Sequence, residues 1–119
     1  MSINLAQKLN QVTDYWSPHV IASFNGNDVR ISKLEGEFVW HAHADSDEMF
    51  VVLEGTLDIH YRDRVETLNP GEIAVVPAGV DHKPVTRGEV HLLILNRAGE
   101  STTGTVEDSP FTRTDLTHL

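Results

Sequence analysis

The stretch "WHAHADSDEMFVVLEG", residues 40–55, sets two histidines one residue apart, adds a glutamate after an acidic turn, and ends in an apolar run and a glycine. Side chains at i and i+2 of an extended segment share a face, so a strand over 37–43 points His41 and His43 the same way. Their α-carbons then lie about 6.5–7 Å apart, close enough for both imidazoles to reach one ion at about 2.0–2.2 Å. Seven histidines in 119 residues give about 0.4 such pairs by chance, so the pair alone carries little weight. Glu48 opens the next apolar run and shares its parity with Phe50 and Val52, which puts it on an inward face. An unpaired carboxylate is costly to bury there, and a cation removes the cost. Asp45 and Asp47 fall in the turn, where water is the expected partner. On these residues alone, a metal site and a self-satisfied polar cluster both stay open.

The surroundings read as an all-β chain. Candidate strands at 20–25, 28–34, 37–43, 48–54, 56–62, 64–68, 73–77, 83–86 and 89–96 are punctuated by Gly36, Gly55, Asn69-Pro70-Gly71, Pro77-Ala78-Gly79 and Gly88. Short strands between such turns predict a barrel or sandwich. "NGND" at 25–28 reads as a hairpin turn. The runs "MFVVL", "IAVV" and "VHLLIL" are apolar on both faces, as in strands that lie between layers or that a second subunit covers. Ile3, Leu5, Leu9 and Val12 recur at helical spacing, with Ser2 or Asn4 as cap, and predict one short amphipathic helix with no evident partner in the chain. The expected organisation is a helix and arm over 1–23, a barrel over 24–97, and a polar tail over 98–119. That tail is expected to be extended or partly mobile, anchored by Phe111 and Leu116.

A chain of 119 residues makes one domain with a core of its own. It has no cysteine, so disulfides and thiolate ligands are excluded and any metal must bind nitrogen and oxygen. Eighteen acids against nine bases leave a net charge of −9, which repels nucleic acid and anionic membranes and attracts cations weakly. No apolar run approaches the roughly 20 residues of a membrane span, and "MSINLAQKLNQV" lacks the marks of a signal peptide. A cytoplasmic protein is the expectation. No G-x-S-x-G, P-loop or G-x-G-x-x-G is present, so serine chemistry and nucleotide binding find no support.

A second stretch bears on the question left open. "GEIAVVPAGVDH", residues 71–82, is an apolar strand stopped by Pro77, turned at Gly79 and followed by His82. Together the two stretches resemble the cupin family of double-stranded β-helix (jelly-roll) barrels. The first motif of that family is present as Gly36, His41, His43, Glu48 and Gly55, with four residues rather than five between Gly36 and His41. The second is present as Gly71, Pro77, Gly79 and His82, with Thr86 where an asparagine usually stands. The resemblance covers roughly residues 24–97. It implies that His41, His43, Glu48 and His82 bind one divalent metal inside the barrel. Three imidazoles and a carboxylate suit Mn, Fe, Co, Ni or Zn better than Ca or Mg.

Two functions follow. One is a metalloenzyme acting on a small polar substrate (a sugar, hydroxy acid or diketone) as an isomerase, epimerase or dioxygenase. The other is a non-catalytic module that binds or senses a small molecule through the metal. Phe50, Val52 and His91 are candidate pocket residues, although His91 reads more simply as a hydrogen-bonded strand histidine. Phe38 and Trp40 are assigned to the face opposite His41, as core or dimer contacts. Thr56, Asp58, His60 and Arg62 alternate onto a solvated face, and no general acid or base stands out. The two-faced apolar strands, the unpartnered helix and the resemblance all point to a homodimer.

Overall fold

Two long strands that bend at a shared irregularity frame the molecule. The computed structural model describes residues 1–119. Its elements are α1 (Leu5–Leu9), β1 (His19–Phe24), β2 (Asn27–Leu34), β3 (Glu48–Tyr61), β4 (Val65–Leu68), β5 (Ile73–Val76) and β6 (His82–Arg97). The strands form one antiparallel sheet in the order β1-β2-β6-β3-β4, with β5 also paired to β3.

The stretches 48–54 and 56–62, expected as two strands, are one, and so are 83–86 and 89–96. The ladder between β3 and β6 runs through both junctions, with register shifts on either side of Glu54. Gly55 makes this possible. Its φ is +85°, and a β-carbon there would meet the Glu89 carbonyl oxygen at 2.3 Å, so only glycine fits. The two halves of β3 then take different partners: Glu48–Val51 pair with β5, and Leu57–His60 pair with β4. Both halves send side chains into one core, Phe50 and Val52 from the first and Leu57, Ile59 and Tyr61 from the second. The sheet therefore closes over itself as an all-β jelly-roll barrel.

The stretch 37–43 is not a strand. It makes only isolated bridges, Glu37 with Val85 and His41 with His82. The Phe38 amide donates to the Pro84 carbonyl at 3.0 Å, but Pro84 has no N–H to return, so a continuous ladder cannot form. The first hairpin turns on Asn25 and Gly26, both at positive φ, between the paired Phe24 and Asn27, as a two-residue loop requires.

The N-terminal helix is shorter than its periodicity suggests, and it has a home within the chain. Asn4 caps it by accepting from the Gln7 amide at 2.9 Å. After Leu9 the bonds tighten, with the Gln11 amide donating to Lys8 and the Val12 amide to Leu9, the narrower turn that often ends a helix. Leu9 and Val12 bury against Ile21 and Ile31, joined by Leu5, Leu53 and Leu119. One motive for expecting a dimer, an unpartnered helix, therefore falls away.

The tail lacks regular structure but is docked along its length rather than hanging free. Thr103 is fully buried, and Phe111 packs on the rings of Trp16 and Phe38. The last residues run beside β1, with the Val20 amide donating to Thr117 and the Leu119 amide to Val20. Leu119 reaches the cluster under α1.

The face of β3 expected to be solvated is covered at Asp58. Arg87 of β6 donates to its carboxylate through Nε at 2.8 Å and Nη2 at 3.0 Å, and the Thr67 hydroxyl of β4 adds a third bond at 2.6 Å. The Arg87 bonds hold the Asp58 carboxyl below its ordinary range, against partial burial and with help from Thr67. A lowered folded-state pKa contributes stability above the unfolded value, and that stability is lost as pH falls through the folded value. Asp58→Asn is expected to cost about 1 kcal/mol at neutral pH, since Arg87 is largely exposed and water screens the pair. Urea unfolding as a function of pH should show the gap between variant and wild type intact above about pH 4 and closing below it.

Candidate metal centre

Each of the four side chains reaches the centre by a different local device. His41 and His82 are held by mutual backbone bonds, His41 N to His82 O at 3.0 Å and His82 N to His41 O at 2.9 Å. His43 follows on an irregular segment whose carbonyl accepts from the Gly79 amide at 2.8 Å. Glu48 is the first residue of β3 and faces inward beside Asn96 of β6, whose Nδ2 donates to Oε2 at 2.7 Å. Asp45 and Asp47 are exposed, and Asp47 instead fixes the Pro77-Ala78-Gly79 turn by accepting from the Ala78 amide at 2.9 Å.

All four are buried, and their ligand atoms lie within 4.8 Å of one another. An ion bonded at about 2.0–2.2 Å separates its ligand atoms by up to about 4.4 Å, so the cluster closes on one with small adjustments. The chemistry of the donor set agrees. His41 Nδ1 lies 2.9 Å from the Val39 carbonyl oxygen, and His82 Nδ1 lies 3.0 Å from that of Val80. Carbonyl oxygens only accept, so these rings carry their protons on Nδ1 and turn Nε2 lone pairs inward. His43 Nδ1 lies 3.0 Å from Glu100 Oε1, which imposes the same tautomer on a neutral ring. His43 Nε2 is buried, lies 3.4 Å from Glu48 Oε2 and makes no hydrogen bond. His82 Nε2 faces Glu48 Oε1 at 3.2 Å. Lone pairs opposing a carboxylate at this range call for a cation, whether a proton or a metal.

The protonation states suit a metal. Burial, and then the charge of His82, push His41 down to about 4, so it is neutral near pH 7. Burial alone would raise Glu48, but the facing His43 and His82 rings, with the Asn96 amide, hold it well below the carboxylate range. Burial would lower His43 too, yet Glu48 and Glu100 together pull it above its ordinary value. A metal must displace that proton.

A cavity of about 40 Å³ opens beside His41 and Glu48, lined by Phe50, Leu92, Ile94 and the polar Arg30 and Ser32. Val52 lies deeper, fully buried in the core and outside the cavity wall. His91 corrects the candidate pocket set. Its neighbours Val90 and Leu92 face the core, and His91 points outward between Glu54 at 3.0 Å and Glu89 at 2.7 Å. Phe38 and Trp40 part company because their segment is not a strand. Phe38 lies edge-on to His41, with ring centres 5.1 Å apart, and lines the cavity. Trp40 lies under the Arg62 guanidinium. Lys83 and Arg87 are tied to Glu37 and Asp58.

Sequence reasoning missed Asn96, Glu100, Arg30 and Ser32. Charged and polar residues at the inward positions 30 and 32 of an expected strand were the available signal. Glu100 lies beyond the last strand and carried none.

This fold and site define a small β-barrel with an interior cluster able to hold a metal. A family model described as "Cupin domain" matches residues 28–96, and the chain belongs to that family. It is 36% identical over 93 residues to the uncharacterized protein YdbB of Bacillus subtilis (strain 168), covering 77% of this chain and 80% of that one. A cupin-2 domain containing protein from Shewanella frigidimarina NCIMB 400, of known crystal structure, is 48% identical with a TM-score of 0.77, over 78% of this chain and 91% of that one. Protein NMB1881 from Neisseria meningitidis is 32% identical with a TM-score of 0.76, over 82% and 100% of the two chains.

Glu100 holds His43 by its far nitrogen, so its loss should loosen the ion. Glu100→Ala is expected to weaken Mn(II) or Zn(II) binding about 10–100-fold in competition with a chromophoric chelator. Unchanged affinity would show that the contact has no bearing on the centre.

Proposed function

We propose that the chain is a metal-dependent enzyme of the oxygenase type, acting on a small substrate that binds the ion through its oxygens. The convergence of three Nε2 atoms and one carboxylate beside a small, largely apolar cavity carries this reading. His41, His43, Glu48 and His82 would hold a divalent ion, which would supply Lewis-acid or redox chemistry to a substrate beside it. The protein's own residues orient and enclose. Asn96 fixes the rotamer of Glu48, the Val39 and Val80 carbonyls fix two imidazoles, and Phe38, Phe50 and Ile94 keep bulk water out.

The cavity wall favours an oxygenase over an isomerase or epimerase. Those reactions move a proton between carbons and need a base beside the substrate. The titratable side chains on the wall are His41 and Glu48, both committed as ligands, and the cationic Arg30. A dioxygenase that puts both atoms of O₂ into its products needs no external reductant and no such base. The same wall also suits the second reading, a module that binds a small molecule without turning it over.

Metal analysis of untagged protein, followed by oxygen uptake with Fe(II)- and Mn(II)-loaded samples, separates the readings. Small hydroxy acids, keto acids and diketones are the substrates to try, with sugar-isomer assays alongside. Oxygen consumption that His43→Ala or Glu48→Gln lowers at least about 100-fold is the expected result. Tight ligand binding with no turnover across the panel would establish the module instead.

We also propose that the chain pairs with a second copy through the outer face of β3, β5 and β6. Ile73 and Val75 are 57% and 48% exposed there, beside the half-buried Met49, Val51, Leu93 and Leu95. Light scattering at micromolar concentration is expected to give twice 13.3 kDa, and Val75→Asp to give the monomer. A monomeric wild type would end the proposal.

A further inference from the structure

The inward row of β2 carries an arrangement that the metal centre does not use. Arg30 and Ser32 are buried, at 2% and 0% exposure, and both line the cavity beside His41 and Glu48. One corner of the guanidinium is engaged: Nη2 donates to Asp28 Oδ2 at 3.0 Å and to the Glu100 carbonyl at 2.9 Å. Asp28 accepts in turn from the Gly99 amide at 3.3 Å. These bonds fix the guanidinium and leave its Nε edge over. Arg30 Nε and Ser32 Oγ are both buried and both lack a hydrogen-bond partner. Two neighbouring orphaned donors on one wall of one cavity are uncommon, because each forfeits its bonds to water on burial.

We infer that Arg30 Nε–H and Ser32 Oγ–H form a carboxylate subsite, so that the substrate is a small carboxylic acid whose other oxygens reach the ion. This rests on the metal reading of the four-residue cluster. A carboxylate accepts at both oxygens and matches two donors projecting from one strand face, and an arginine N–H prefers a charged acceptor to a neutral one. The register sets the span. Glu48 on β3 and Arg30 on β2 are separated only by β6, two strand spacings, or about 10 Å of backbone, and both side chains reach inward across it. Phe50, Leu92 and Ile94 line the ground between the two ends, so the body of the ligand is short and apolar. A volume of about 40 Å³ admits an acid of only a few carbons.

The test compares 2,4-dioxopentanoate with pentane-2,4-dione, which share a chelating 1,3-diketone and of which only the first carries a further carboxylate. Titration calorimetry on the full chain loaded with Mn(II) is expected to show 2,4-dioxopentanoate binding at least tenfold more tightly. Arg30→Met should abolish that preference while Mn(II) affinity, measured by chelator competition, stays within twofold. Because Arg30→Met strands Asp28, Ser32→Ala is the second variant. It should weaken 2,4-dioxopentanoate fivefold or more, leave pentane-2,4-dione unchanged, and not lower the unfolding midpoint, since the hydroxyl it removes makes no hydrogen bond to another protein group. Equal binding of acid and diketone by the wild type, or a preference that survives both variants, overturns the subsite. A wild type that binds no Mn(II) overturns the metal reading alone. Acetate binding to the metal-free protein, with and without Ser32→Ala, then decides the subsite by itself, and equal affinity in the two rejects it.

Discussion

A carboxylate that is almost wholly withdrawn from water governs this molecule. Glu48 is 5% exposed and sits at the point where β3 enters the barrel, with imidazoles on two sides and an amide on a third. A charge so placed is tolerable only when matched, and the matching groups come from far apart: His41 and His43 before β3, His82 at the start of β6, Asn96 near its end. Bringing them together obliges β3 and β6 to lie side by side and the segment before β3 to fold back on His82. The bend at Gly55 then lets the same two strands supply the apolar floor below the cluster. Fold and centre are thus solved by one geometry.

The parts of this geometry that depend on local chemistry were legible in the sequence. The grouping of His41, His43, Glu48 and His82 was legible through the resemblance of their spacing to two cupin motifs, and the four side chains do converge. The turn at Asn25-Gly26 and the alternation along Glu48, Phe50 and Val52 were legible from the residues themselves. What failed was the rule of alternation where no ladder supports it. The segment 37–43 looks like a strand, but Pro84 denies it a partner bond, and with the ladder went the assignment of Phe38 to the face opposite His41. His91 is the hydrogen-bonded strand histidine of the simpler reading, since its flanking residues Val90 and Leu92 own the inward face. The glycine between two apolar runs looked like a break, whereas it is the residue that keeps one strand continuous through a bend.

Long-range polar partners were illegible for a different reason. Asn96 meets Glu48 and Glu100 meets His43 only because the barrel closes, and nothing near Asn96 or Glu100 in the chain announces the contact. Arg30 and Ser32 stood in plain view as polar residues at inward strand positions. Their meaning depended on knowing that they line the cavity beside His41 and Glu48.

The docked tail has a temporal consequence. All four candidate ligands are encoded before β6 is complete, yet the acceptor on His43 Nδ1 is Glu100, and Thr105 clasps the adjacent Ala42 by two bonds from beyond it. Gly104 crosses so close that a β-carbon would fall 2.0 Å from the Ala42 carbonyl oxygen. A nascent chain emerging from the ribosome therefore holds its candidate ligands before it holds the clasp that steadies them, and the centre reaches its finished form only once the segment through Thr105 has been laid down.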